Sequence, residues 1–183
     1  MGTTSTRAAW TDSEYGAGSF AASVFGTESQ TASSGWVSHT PVGNAAMLAF
    51  NATAMSPTVS FYAWISIRTT STTNVGGTVA LTSSSNNSGP LLPVLEYRAV
   101  RTAGISSACS SAAFSGSPTW IVGPSYLTIT SVPGSPVSSV LTVPSGATPQ
   151  LRFCFEVRIQ SGAGNSYQGT GASVAWEFTA TST

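Results

Sequence analysis

The sequence predicts an all-β fold, a jelly-roll or β-sandwich of about eight to ten short, mostly antiparallel strands. Apolar and polar residues alternate in many short segments, and clusters of Gly, Pro, Ser and Asn separate those segments. A helical period of about 3.6 residues is not sustained anywhere in the chain. The length of 183 residues suits a single domain with its own hydrophobic core.

The clearest strands are expected near the C-terminal end. In residues 151–159 the apolar side chains fall on odd positions, and Arg152, Cys154 and Glu156 fall on even positions. In residues 172–180 the alternation resumes, and here the apolar side chains fall on even positions. A polar loop rich in Gly and Ser joins the two segments, so we expect a hairpin of two half-buried strands.

Weaker patterns predict the other elements. Residues 59–68 alternate, and they place Tyr62 and Trp64 on a second face that we expect to be covered in part. Residues 83–89 are rich in Ser and Asn and predict a loop, while Pro93 predicts an edge position or a bulge. Further strands are expected at residues 20–25, 46–54, 78–82, 91–101, 119–122, 126–130 and 137–143, and one short strand is expected around Trp36.

The first residues predict an arm that precedes the domain. Residues 1–19 are polar and Gly-rich around Trp10, whereas residues 20–183 carry the strand patterns without a linker that would divide them. Leaving Trp10 in water would forgo roughly 2 kcal/mol of apolar burial. We therefore expect its side chain to dock in its own core or in that of a neighbouring molecule.

The composition excludes two classes of partner. Charged residues make up 7% of the chain, the net charge is zero, and all six basic residues are Arg. Such a surface does not suit nucleic acid or an anionic membrane, and no apolar run is long enough for a membrane span. A net charge near zero also permits self-association, because little long-range repulsion opposes it.

The sequence holds no pattern typical of a catalytic or metal site, so we expect a protein that is not an enzyme and needs no cofactor. His39 is the single histidine and lies in a polar stretch, where a solvated side chain is expected. A Ser-His-Asp triad would have to use Asp12, the single Asp, and no GxSxG motif accompanies it. A zinc site would need more imidazole or thiolate ligands than the sequence provides.

Two carboxylates on the predicted hairpin have a simpler interpretation than catalysis. Glu156 and Glu177 lie on the polar faces of their strands. A glycosidase pair is conceivable, but we expect ion pairs with Arg152 or Arg158 across the same face.

The two cysteines predict a disulfide. Cys154 lies on the polar face of its strand, and Cys109 lies in a Ser-rich loop that is able to cover that face. A Cys109–Cys154 bond would indicate an oxidising compartment, and two unpaired thiols are the alternative.

Tyr62 and Trp64 are candidates for an exposed aromatic face. Such a face, with Trp36 as a further candidate, would suit a carbohydrate ligand. The alternatives are that these rings pack under a loop or against another subunit.

Both ends of the chain resemble one family. Residues 8–14 read Ala-Ala-Trp-Thr-Asp-Ser-Glu, and residues 18–22 read Gly-Ser-Phe-Ala-Ala. At the other end, Asn-Ser-Tyr-Gln-Gly at residues 165–169 is followed by Val-Ala-Trp-Glu-Phe-Thr-Ala at residues 174–180. Together these motifs resemble the first and last strands of mature TasA/camelysin-like proteins, which are exported with a SipW-type signal peptide. The middle of the chain has no such likeness.

The resemblance implies a secreted jelly-roll protein of the cell surface or biofilm matrix. Since the first residues have no hydrophobic signal-peptide core, it favours a mature chain to which Met1 was added, and a cytosolic protein is the alternative. Some members polymerise by donor-strand complementation, in which the N-terminal strand of one subunit completes a sheet of the next. Here the donor would be residues 3–10, and the residues of one face would be Thr4, Thr6, Ala8 and Trp10. The implied partners are other copies of the chain and accessory matrix or cell-wall components.

The chain departs from the family in its low charge and its predicted disulfide. The metalloprotease activity described for camelysin-like relatives is not carried over, because the sequence lacks a metal-binding cluster. The function that we expect is an extracellular structural subunit that forms pilus-like surface or biofilm-matrix filaments. A monomeric secreted adhesin or carbohydrate-binding β-sandwich is the alternative.

Overall fold

The protein is a β-sandwich in a computed structural model that describes residues 19, 21–40, 42–50, 55–143 and 150–183. The prediction of an all-β fold with mostly antiparallel strands is confirmed. The described residues form nine strands and four short 3₁₀ turns. The strands are β1 (Thr27–Thr31), β2 (Ser34–Val37), β3 (Phe61–Thr69), β4 (Gly77–Ser88), β5 (Leu95–Arg101), β6 (Thr119–Thr128), β7 (Ser139–Leu141), β8 (Leu151–Ile159) and β9 (Ser173–Ser182).

The strands form two sheets of unequal width. The large sheet has the order β2-β1-β3-β8-β5-β6, and the small sheet has the order β7-β4-β9. Each neighbouring pair of strands is antiparallel. In the large sheet, Phe155 of β8 lies between Ala63 of β3 and Ala99 of β5. The two small residues leave room for the large ring, as close packing of a core requires.

The hydrophobic core lies between the two sheets. Phe153 and Phe155 of β8 are fully buried. The ring centroids of Phe153 and Phe178 lie 4.8 Å apart, and those of Phe155 and Trp176 are at the same distance. Because Phe178 and Trp176 belong to β9, these aromatic pairs join the large sheet to the small one.

The predicted C-terminal hairpin is wrong, although both of its strands exist. β8 pairs with β3 and β5, whereas β9 pairs with β4 in the other sheet. The apolar faces of β8 and β9 therefore pack against each other across the core, and the two strands are not neighbours in one sheet. Residues 160–172 connect them, a length that exceeds the two to five or so residues usual for a hairpin loop and allows the chain to cross between sheets.

Three further expectations need correction. The loop predicted at residues 83–89 is largely strand, because the ladder with β9 extends β4 to Ser88 despite its polar sequence. The segments 119–122 and 126–130 are joined in β6, which continues through Gly123-Pro124. Pro93 lies in a 3₁₀ turn before β5 rather than within a strand.

The strands predicted at residues 20–25 and 46–54 are absent from the parts of those segments that the structure describes, 21–25 and 46–50. Before β1 the backbone bonds to a turn instead: Val24 N–H donates to Asn74 Oδ1 at 2.7 Å, and Asn74 N–H donates to Val24 O at 3.0 Å. The expected strand around Trp36 is confirmed as β2, and the segment 137–143 contains β7.

Candidate functional site

A disulfide between Cys109 and Cys154 confirms the predicted pairing. The Cα atoms of the two residues lie 5.4 Å apart. Cys154 lies on the outer face of the large sheet, between Trp64 of β3 and Val100 of β5. It is nevertheless fully buried, because residues 102–118 fold over this face and the disulfide fastens them there.

The loop brings an aromatic side chain onto the outer face. Phe114 is buried, and its ring lies 5.9 Å from that of Tyr62 and 6.0 Å from that of Trp120. The guanidinium of Arg152 lies 3.9 Å from the ring centre of Trp64. Tyr62 and Trp64, predicted as an exposed aromatic face, are therefore both half-buried. Tyr62 packs under a loop, and Trp64 is covered by a cation.

The buried carboxylate of Glu156 lies at the centre of this face. It is 3% exposed and accepts hydrogen bonds from Ser60 Oγ at 2.6 Å, from Tyr126 OH at 2.8 Å and from Arg98 Nε at 2.6 Å. Tyr62 OH lies at 3.4 Å. Burial by itself raises the pKa of Glu156, but the hydrogen bonds from Arg98, Ser60 and Tyr126 outweigh it, and the pKa is lowered.

The arginine of this pair is enclosed by aromatic rings. The guanidinium carbon of Arg98 lies 4.8 Å from the ring centre of Tyr126, 5.1 Å from that of Phe114 and 5.5 Å from that of Trp120. Burial lowers the pKa of Arg98, but Glu156 together with Tyr126 and Tyr62 raises it by more, so the guanidinium stays charged. The carboxylate therefore keeps its ionic partner under the loop, and the aromatic rings cover much of the guanidinium.

The ion-pair partners predicted from the sequence are wrong. Glu156 pairs with Arg98, and Arg158 pairs with Glu96 at 2.7 Å. The physical reason is the strand order: β5, not β9, lies beside β8, and each of these pairs is directly opposite in the ladder. Glu177, expected to share the face, lies on the small sheet and accepts a hydrogen bond from Ser83 Oγ at 2.6 Å.

The functional residues Arg98 and Tyr126 are not among the candidates that the sequence patterns predict. The signal that would have found them is the alternation Glu96–Arg98 in one strand against Arg158–Glu156 in another. These charges are complementary only when the two strands run antiparallel in this register.

The other candidate polar residue, His39, is not a freely solvated side chain. It is half-buried, and its Nδ1 atom lies 2.8 Å from Ser29 Oγ in a hydrogen bond that fastens the segment after β2 to β1. Asp12 lies outside the described residues. Within the described ranges, no group of three or more His, Cys, Asp or Glu side chains is placed to hold a metal ion.

The second candidate site is the edge of the small sheet at β9. Among the described strands, β9 has one neighbour, β4, so the other edge of a ten-residue strand has no described ladder partner. The core-facing side chains of β9 are also less buried than those of central β8. Val174, Trp176, Phe178 and Ala180 are half-buried, whereas Phe153, Phe155 and Val157 are at most 6% exposed.

The residues predicted to form the donor arm, Thr4, Thr6, Ala8 and Trp10, lie outside the described residues. The chain that follows the arm is placed close to the end of β9. A Cβ atom at Gly77 would overlap both the Phe25 ring and the carbonyl oxygen of Thr181, so these three residues meet at one end of the sandwich. Phe25 therefore lies beside the last residues of β9.

No family model matches the chain, and no curated protein is significantly similar to it. The likeness to TasA/camelysin-like proteins thus rests on the two terminal motifs and remains a prediction. In the part of the chain that the structure describes, none of the helical segments has the length and apolar character needed to cross a membrane.

Proposed function

We propose that the protein is an extracellular structural subunit that assembles into pilus-like filaments, in which the N-terminal arm of one copy adds a strand to β9 of the next. The observation that carries this proposal is the β9 edge. It offers ten residues of main chain without a described ladder partner, beside core side chains that are incompletely buried. Main-chain hydrogen bonds and side-chain pockets are what strand addition uses.

The other sheet edges suit strand addition less well. The described edge strands β2 and β7 have four and three residues. β6 has ten residues, but Pro124 in its middle has no N–H to donate, and the pairing of β6 is irregular around it. β9 is therefore the longest edge among the described strands whose sequence contains no proline.

The arm has a sequence that fits such an edge. Residues 3–10 read Thr-Thr-Ser-Thr-Arg-Ala-Ala-Trp, and Ala8 and Trp10 share one face of an extended strand. Eight extended residues span about 26 Å, which is comparable with the length of β9. A strand in this position would bring Trp10 to the half-buried side chains of β9 and shield both from water.

Charge does not oppose the contact. Six of the described charged residues form three ion pairs on the large sheet: Glu28 with Arg68, Glu96 with Arg158, and Glu156 with Arg98. β9 carries one charged residue, Glu177. Because arm and edge are different surfaces, the contact is head-to-tail, and repeated addition gives an open fibre when the rotation between successive copies does not close a ring. The disulfide supports an oxidising, extracellular location.

Electron microscopy and size-exclusion chromatography of three full-length proteins test the proposal. The parent chain is expected to form filaments, and Trp10→Ala is expected to remain monomeric. Arg7→Ala, which shortens a side chain on the opposite face of the arm, is the matched control and should still form filaments. Filaments from Trp10→Ala and from a chain without residues 1–10 would refute donor-strand assembly.

A further inference from the structure

We propose that residues 45–50 are a displaceable cover on the β9 edge, and that the arm of an incoming copy replaces it. This inference rests on the proposed function and adds a control step to it. The segment keeps the period-two burial of a strand. Ala46, Leu48 and Phe50 are half-buried and pack against the core, whereas Met47 is 74% exposed.

Phe50 brings this segment into contact with β9, the strand proposed as the acceptor. Its ring meets that of Trp176 on β9, with centroids 6.4 Å apart and ring planes at 63°. Such an edge-to-face contact is a favourable aromatic geometry. Phe50, at the end of this segment, therefore shields part of the apolar side of β9 in the isolated chain.

The cover lacks the backbone bonds of a strand. Among the described residues, the backbone of this segment makes a turn hydrogen bond from Ala45 N–H to Val42 O at 3.1 Å. It makes no backbone hydrogen bond to the described residues of β9. The segment thus supplies side-chain packing without a ladder. An added strand would supply packing and main-chain hydrogen bonds together, so it is the stronger occupant of the edge.

The arm and the cover have similar patterns. The cover presents Ala46, Leu48 and Phe50 at alternate positions, and the arm presents Thr6, Ala8 and Trp10. Each series ends in a large aromatic residue. A cover of this kind protects the edge against unspecific pairing until a matching arm arrives.

Binding of an arm peptide to the full chain tests the inference. The peptide is residues 3–10 with a fluorescent label, and the protein carries Trp10→Ala so that its own arm does not polymerise. Fluorescence anisotropy then gives the Kd of the peptide. Adding Phe50→Ala should weaken the cover and tighten binding by about tenfold, because a larger fraction of molecules has an open edge. Met47→Ala, an outward change in the same segment, should leave the Kd unchanged.

Phe50→Leu is the milder variant if Phe50→Ala fails to fold, and it should tighten binding about twofold to threefold by the same population shift. Equal affinity in all variants would refute the proposal that residues 45–50 cover the edge. It would not contradict filament assembly at β9. Weaker binding to the Phe50 variants would also overturn it, since Phe50 would then form part of the acceptor. Absence of binding to every variant would refute the β9 edge as the acceptor and the cover with it.

Discussion

Glu156 and Arg98 face each other across β8 and β5, and Arg98 Nε donates to Glu156 Oε2 at 2.6 Å beneath the loop that the disulfide holds in place. The pair is the most deeply buried of the three ion pairs in the described chain. A buried charge costs free energy unless it is fully paired and hydrogen-bonded. The hydroxyl groups of Ser60, Tyr126 and, at 3.4 Å, Tyr62 are further donors to the carboxylate.

Removing this carboxylate should destabilise the protein strongly. Glu156→Ala leaves the Arg98 charge among aromatic rings without its partner, so we expect the free energy of unfolding to fall by about 3 kcal/mol. Glu28→Ala is the matched control, because its pair with Arg68 is more exposed and should cost about 1 kcal/mol or less. Urea denaturation measures both. Equal losses in the two variants would show that burial of the Glu156–Arg98 pair does not increase its contribution to the free energy of unfolding.

The lowered pKa of Glu156 predicts acid sensitivity. A carboxyl group with a folded-state pKa below its ordinary value of 4.5 contributes stability above that value and loses it as the pH falls through the folded-state pKa. We therefore expect the parent to lose stability below about pH 4.5 through this group, and Glu156→Gln to lack this component. The check is the urea midpoint measured from pH 7 down to pH 3. Parallel curves for parent and variant would contradict the assignment.

The disulfide should stabilise the loop-covered face. It joins residues 45 apart in the sequence, and the chain-entropy relation gives about 4 kcal/mol for a closed loop of this size. Reduction should lower the free energy of unfolding by up to that amount and increase amide hydrogen exchange in residues 102–118. A Cys109→Ala/Cys154→Ala double variant is the control, since reductant should not change it further. Unchanged exchange in the loop after reduction would show that Phe114 and its neighbours hold the loop without the bond.

The sequence predicted the strands better than their partners. Alternation in residues 151–159 fixes which side chains of β8 face the core, because the two faces of a strand differ in polarity. Nothing in that alternation says whether β9 or β5 lies beside it, and pairing with the wrong neighbour gave the wrong ion pairs for Glu156. At the polar end of β4 the sequence predicts a loop, but pairing with β9 makes these residues a strand. Here the partner strand, and not the local sequence, determines the structure.

The cysteine pair was predictable for a physical reason. Cys154 occupies a polar-face position in its strand, where an uncovered thiol would be out of place, and a Ser-rich loop carries the second cysteine. Phe114 has no comparable signal, because it lies in the least regular part of the chain. Its position on Tyr62 and Trp120 follows from the disulfide and could not be read from local periodicity.

Gly77 is expected to control how the chain before β1 meets β9. A Cβ atom there would overlap the carbonyl oxygen of Thr181 and approach the Phe25 ring to 2.8 Å, so the neighbouring backbone would have to move. Gly77→Ala should lower the free energy of unfolding by about 1–3 kcal/mol, the usual cost of overpacking.

Gly76→Ala is the matched control for this change, because its Cβ would lie 3.5 Å from Leu141 O, an ordinary contact distance. Urea denaturation of both variants separates the steric effect at Gly77 from a general effect of replacing glycine at the start of β4. If the arm leaves the domain at this junction to reach β9 of the next copy, Gly77→Ala should also reduce filament yield at temperatures where the variant is folded, whereas Gly76→Ala should not. A Gly77→Ala protein as stable as the parent would show that Phe25 and Thr181 are not held together at this point.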